Sequence, residues 1–381
     1  MSRGWPPLRG ARLYLRRAGR TKLRIDGVMS VAMPVRCSTL LVRLLRPALA
    51  GGLVLGTVAG AQAQDVFFSQ PFATRLHTNP AFTGLVDDYS VTLSYRNQFP
   101  TVAGSFVSAQ AAADVRLTTP GQHHALGLLI NQDRTGAVGY TRLEIGGLYA
   151  YHTRLTERLA LSGGLRASYG RQRVGYDNFV FGDQIMEDGR VAGPTAESLS
   201  LPPVNYLSLG TGAVLYTEQG WLSLAGQHLN QPNLGFRQQS QLPLLLSLSG
   251  GYKFFAVKPS TGIATREVSY TPVAAYTRQG GSQRLETGLY FTTAPLTLGA
   301  VYRNISLPGN VVAQHVLAIV AGVQAGGLRV GYSYDVGLSR LSADLGGAHE
   351  VTLALRAFDR LENAHRRLKR RVYPMAPCPA F

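Results

Sequence analysis

Beyond residue 88 the chain alternates between apolar and polar side chains with a period of two. In Arg158–Gly170, Leu159, Leu161, Leu165, Ala167 and Tyr169 share one face, and Ala160, Ser162, Gly164, Arg166 and Ser168 share the other. In Leu244–Phe255, Leu244, Leu246, Leu248, Tyr252 and Phe254 oppose Ser247, Ser249, Gly251 and Lys253. Further on, Leu328, Val330, Tyr332 and Tyr334 oppose Arg329, Gly331, Ser333 and Asp335. Such alternation marks half-buried strands. An Arg or Lys behind an apolar face suits a barrel with lipid outside and a polar inside. Past the first 63 residues, no apolar run reaches the ~20 residues of a membrane helix.

The pattern predicts about fourteen strands: 88–97, 104–117, 122–132, 139–153, 158–173, 204–216, 220–229, 243–256, 268–278, 283–292, 296–304, 314–324, 327–335 and 348–357. The expected fold is an all-β, transmembrane antiparallel β-barrel over 88–358, with a short N-terminal periplasmic or plug segment at 64–87 and a basic tail at 359–381. A soluble β-sandwich also alternates. The signal peptide, the strand lengths and the tyrosines near strand ends favour the barrel. Tight connections such as Thr118–Gly121 and Thr217–Gly220 alternate with long ones, the longest Val174–Pro203, as periplasmic turns and outer loops do. Val257–Glu267 is too long for the short side, and Thr277–Gln283 too short for the long side. Phe358 falls out of phase with Val351, Leu353 and Leu355.

The 381 residues carry a net charge of +17, but the ends hold most of it. Residues 1–63 have eleven Lys/Arg against Asp26 alone, and Arg356–Arg371 have seven against Asp359 and Glu362. The body is about neutral, so no folded basic face points to nucleic acid. Arg36, Arg43 and Arg46 precede an apolar run that ends in Ala61-Gln62-Ala63, a signal-peptidase pattern with cleavage between Ala63 and Gln64. The leader is 1–63, with 29–63 the signal peptide and 1–28 a gene-model extension. Cys37 lies in the leader, so Cys378 has no partner in the mature chain.

Four motifs, in order, resemble the PorP/SprF family of Bacteroidetes. They are Gln64–Gly84 ("QDVFFSQPFATRLHTNPAFTG"), Ser94–Pro100 ("SYRNQFP", with Tyr95, Arg96, Asn97 and Gln98), Gly331–Arg356 (with Tyr334, Asp335, His349 and Glu350) and the terminal Cys-Pro-Ala-Phe. Phe99 stands where the family often has Trp. The resemblance covers about residues 64–381. It implies an integral outer-membrane component of type IX secretion and gliding machinery that helps export or anchor surface adhesins. The implied partners are outer-membrane lipid, periplasmic and peptidoglycan-associated parts of the machine, and an adhesin cargo.

Pro80 keeps Asn79-Pro80-Ala81 out of a central strand. Phe67, Phe68, Phe72 and Phe82 are aromatic anchors that need burial. With Gln70 and Asn79 they form a candidate docking or plug element, expected in the lower lumen. Arg366, Arg367, Lys369, Arg370, Arg371 and Cys378 form a candidate periplasmic contact; a merely solvated tail is the simpler reading. His349-Glu350 lacks the second histidine of a zinc motif and is expected as a polar pair on the inner face or rim of the last strand. His123-His124 has no third ligand, and Asp183, Glu187 and Asp188 do not make an EF-hand. No Gly-x-Ser-x-Gly elbow marks a nucleophile. The expectation is no enzyme, no metal and no cofactor. The alternative is a channel or transporter for hydrophobic solutes, like the long-chain fatty-acid transporters, which would need an apolar pocket in the lumen. An outer-membrane hydrolase is a distant third.

Overall fold

The computed structural model describes residues 65–101, 104–117, 123–136, 139–175, 180–186, 188–191, 193, 195–196, 201–257, 267–306, 313–339 and 345–355. Fifteen strands follow one another: β1 (Tyr89–Gln98), β2 (Phe106–Leu117), β3 (His124–Thr135), β4 (Tyr140–Arg154), β5 (Ala160–Val174), β6 (Val204–Tyr216), β7 (Gly220–Gln227), β8 (Leu245–Tyr252), β9 (Phe254–Val257), β10 (Val268–Gln279), β11 (Ser282–Thr293), β12 (Leu296–Ser306), β13 (Gln314–Ala325), β14 (Leu328–Gly337) and β15 (Ala348–Leu355). β8 and β9 lie on the same edge of β10, interrupted at Lys253, so they form one stave. The result is a fourteen-stave antiparallel barrel. β1 closes it on β15 in the register Tyr95↔Val351, and β10 pairs with β11. Closure gives each stave a neighbour on both sides, the condition for placing sheet backbone in hydrocarbon.

The side-chain pattern is inverted relative to a soluble sandwich. Leu93, Leu165, Leu224 and Ile319 are 48%, 59%, 58% and 53% exposed, while Ser94, Arg166 and Ser223 between such positions are buried. The apolar faces seen in the sequence therefore point outward to lipid, and the polar faces point into the lumen. The described strand ends fall within three residues of those the alternation predicts. The one stave read as continuous, 243–256, is broken where Lys253 is buried and pairs with Glu267 at 2.5 Å.

The connections after β2, β4, β6, β11 and β13 are short and lie at the end where β1 begins and β15 finishes. The two longest, between β5 and β6 and between β7 and β8, lie at the other end. The exceptions in the sequence persist: 258–267 is long at the short-turn end, and Gly280-Gly281 makes a two-residue hairpin at the long-loop end.

Inside the ring, the segment Asp65–Asp88 supplies an apolar core that a barrel of this size would otherwise lack. Leu76, Ala81, Phe82 and Leu85 pack on Leu129, Leu148, Val214, Tyr216 and Trp221 from the wall. Ala73 joins a second cluster with Tyr290, Val301, Ala318 and Val320.

Candidate functional site

The N-terminal segment folds in two tight turns, and its sequence accounts for them. A helical turn at Arg75–Thr78 ends at Asn79, whose extended backbone (φ −152°) makes it the cap of a 3-10 turn at Pro80–Phe82. The Asn79 Oδ1 accepts the Ala81 N–H at 2.8 Å. Pro80 sits at the first position of the turn, where a missing N–H costs nothing. The same Asn79 amide reaches the wall through Nδ2, which donates to Ser223 Oγ at 2.8 Å and to the Leu224 carbonyl at 3.0 Å.

Two wall glycines give this turn its room. A Cβ at Gly164 would lie 2.5 Å from the Pro80 carbonyl carbon, and one at Gly212 would lie 2.7 Å from Asn79 Cγ. Ser162, beside Gly164, donates to the Ala81 carbonyl at 2.6 Å. Phe72 stands edge-on between Trp221 and Tyr290, with ring centroids 5.5 and 5.2 Å away.

Charged groups hold the segment at both ends. Towards the short turns, Arg75 Nη2 donates to Ser90 Oγ at 2.8 Å and pairs with Asp114 at 3.2 Å. Arg329 pairs with Asp87 at 3.0 Å, and Arg116 Nε donates to the Gly84 carbonyl at 2.6 Å.

Towards the long loops, Glu350 accepts the N–H groups of Ser69 and Gln70 at 2.6 and 3.0 Å. Asp335 takes the Ser69 hydroxyl at 2.7 Å and pairs with Arg96 at 2.8 Å and Arg303 at 3.0 Å. Arg303 also pairs with Glu286 at 2.5 Å. Arg96, Arg284 and Arg303 surround the Phe67 ring, their guanidinium carbons 4.9, 4.6 and 4.6 Å from its centroid. Asp65 binds Arg142 at 2.8 Å, His228 at 2.5 Å and Gln279 at 3.0 Å. Arg142 in turn pairs with Glu144, which also holds Arg166.

These partners correct the expected depth of the segment. Arg142 is near the start of β4, Gln279 ends β10 and His228 follows β7, all at the long-loop end. The segment thus runs the height of the lumen instead of resting in its lower part, because its acid and amide groups find their partners at the upper ends of the staves. A cavity of about 70 Å³ remains beside it, lined by Asp65, His77, Gln227, Thr277, Gln279 and Arg284 among others. That is space for a few waters.

Among the candidate residues, Phe68, Gln70, Asn79, Pro80 and Phe82 are buried within the barrel, and Phe67 is half-buried under its arginines. The two other motifs split between faces. Arg96, Asp335 and Glu350 point inward, while Tyr95 is 50% exposed on the outside. His349-Glu350 is not one polar pair on the inner face. Period-two geometry sends His349 outward, where its Nδ1 meets the Tyr332 hydroxyl at 2.9 Å, while Glu350 is fully buried. Asn97 lies opposite His349, and Gln98 opposite Ala348. Ala63, Gln64, Arg366, Arg367, Lys369, Arg370, Arg371 and Cys378 lie outside the described residues. Among the described residues, no group of three His, Cys, Asp or Glu side chains is placed to hold a metal.

Asp65, Arg75, Arg142, Arg284, Glu286 and Arg303 join the site although none is among the candidate residues named from the sequence. The signal was present for the strand residues, each a charged side chain at an inward position of an alternating segment.

A family model described as "Type IX secretion system membrane protein PorP/SprF" matches residues 60–355. No curated protein matches the sequence. Among solved structures, the Acinetobacter baumannii outer membrane protein Omp33 is similar at 10% identity and a TM-score of 0.39, covering 72% of this chain and 100% of its own. A Pseudomonas aeruginosa FadL homologue is similar at 11% identity and a TM-score of 0.41, covering 74% of this chain and 93% of its own.

Proposed function

We propose that this chain, which belongs to the PorP/SprF family of type IX secretion system membrane proteins, is a non-catalytic barrel that helps export or anchor a surface adhesin. The chain is an integral outer-membrane protein and a component of that secretion system. The observation that carries the finer reading is the occupied lumen. A polypeptide cannot thread a barrel whose interior already holds Asp65–Asp88, pinned by Glu350 at one end and Arg329 at the other. Cargo is therefore held at the surface, on the long-loop end, which by the usual rule for such barrels faces outward. Periplasmic and peptidoglycan-associated parts of the machine meet the opposite end, where β1 begins and β15 finishes. Gliding motility follows where the adhesin serves it.

The transporter reading needs an apolar pocket in the lumen. Here the inward positions of the staves carry Arg96, Asp114, Arg142, Glu144, Arg166, Glu286, Arg303, Asp335 and Glu350, paired with one another and with the segment.

The test compares the secretome and cell surface of wild type with those of a clean deletion. Loss of one large surface protein, or of every substrate of the system, supports the proposal. An unchanged secretome with impaired uptake of a labelled fatty acid overturns it in favour of transport.

A further inference from the structure

The outer face of the barrel carries its charge unevenly. Among the described residues, the outward positions of the staves hold Arg134, Arg171, Arg173 and Arg278, and no Asp or Glu. All four are near the long-loop end. Three of them meet on adjacent staves, and the ladder registers fix how. Arg134 on β3 and Arg173 on β5 both lie opposite Thr141 of β4. One row lower, Gln132, Leu143, Arg171 and Asn205 stand side by side across β3 to β6.

The row beneath changes character completely. Ile130, Ile145, Tyr169 and Leu207 line up in the same registers, and Ile145, Tyr169 and Leu207 are 44%, 53% and 55% exposed. Successive outward positions on a strand are about 7 Å apart. The arginines thus sit within one or two steps of the hydrocarbon boundary, at the depth of lipid phosphates. All three are exposed, and none pairs with an acid among the described residues.

We infer that Arg134, Arg171 and Arg173 form a docking site for the phosphate of a lipid headgroup in the leaflet facing the long loops. The charge is complementary, and the fork of donors on each guanidinium matches phosphate oxygens. Thr141 and Asn205 add polar side chains to the same rows. Leu143 and the apolar row below meet the acyl chains of the same lipid. A lipid fixed here lies on the side of the barrel that carries the long β5–β6 connection.

The test uses the full chain, purified in detergent, and a fluorescent phosphatidic acid as probe. Affinity of the R134Q/R171Q/R173Q variant should fall about a hundredfold, each arginine near an anionic surface contributing a factor of about five. Arg278→Gln, several staves away, should bind as wild type does. The single variants Arg134→Gln and Arg173→Gln should each lose about fivefold, which keeps the test decisive if the triple variant fails to fold. Equal retention by wild type and the folded triple variant overturns the inference. So does displacement of the probe by inorganic phosphate at matched concentration, which would mark a site for free anion. Loss of an acidic protein partner by the triple variant, with lipid retention unchanged, also overturns it.

Discussion

The Glu350 carboxylate accepts the Ser69 N–H at 2.6 Å, joining the last stave to the N-terminal segment across 281 residues of chain. One oxygen takes Ser69 and the other takes Gln70, while Arg96 stands 3.3 Å away and balances the charge. Ring closure and lumen filling are thereby linked, because β15 also pairs with β1 beside Arg96.

Glu350→Gln replaces one acceptor oxygen with a donor, so one of the two N–H groups loses its partner. The expected cost is about 2 kcal/mol, within the usual range for a hydrogen bond to a charged group. Amide exchange across Phe67–Thr74, followed by mass spectrometry, should then accelerate about thirtyfold. Unchanged exchange would mean that the segment is held without this clamp.

Phe67 tests the arginine cage separately. Phe67→Leu keeps most of the apolar volume and removes the ring face that three guanidinium groups contact. Contacts of this kind contribute about 0.5–1 kcal/mol each at exposed sites and about 2 kcal/mol when desolvated. The variant's urea midpoint should drop, and by more than that of Phe68→Leu, whose ring meets His77 edge-on. Equal drops would assign the effect to packing alone.

Gly164 and Gly163 are neighbours on opposite faces of β5, which makes a matched pair of substitutions. A methyl at Gly164 would strike the Pro80-Ala81 backbone, whereas one at Gly163 meets nothing within 4 Å. Gly164→Ala should destabilise by about 1–3 kcal/mol through overpacking, and Gly163→Ala should change stability by less than about 0.5 kcal/mol. In planar bilayers, wild type and Gly163→Ala should stay closed to ions, while Gly164→Ala should show intermittent conductance as the segment is pushed from its seat. An open wild-type pore would contradict a filled lumen.

Much of this architecture was legible because period-two alternation is a local signal. Leu328, Val330, Tyr332 and Tyr334 can be assigned to one face from eight residues alone. Which acid meets which base was not legible. The pairs Arg75–Asp114 and Asp65–Arg142 depend on how the segment lies inside the closed ring, which no local pattern states. The depth of the segment is hidden for the same reason: four phenylalanines announce burial, but the height at which they are buried depends on partners as far as 281 residues away. His349 and Glu350 illustrate the opposite case. Adjacent residues on a strand must face opposite sides, so the alternation of Val351, Leu353 and Leu355 already contained the answer.

The long connection between β5 and β6 offers a pH-dependent test outside the membrane. Asp183 accepts the Ala196 N–H at 2.6 Å and the Thr195 hydroxyl at 2.9 Å. The Ala196 N–H foremost, aided by the Thr195 hydroxyl, holds its carboxyl below the usual carboxylate range. A depressed pKa in the folded loop means that the charged form stabilises it. That contribution is full above the unfolded value and is lost as pH falls through the lower, folded value. The Ala196 amide resonance of a labelled, detergent-solubilised sample should therefore stay constant through mildly acidic pH. It should titrate only below the range of an ordinary aspartate, and in Asp183→Asn it should not titrate at all. A midpoint at the ordinary aspartate value would mean that the loop does not hold this contact in solution.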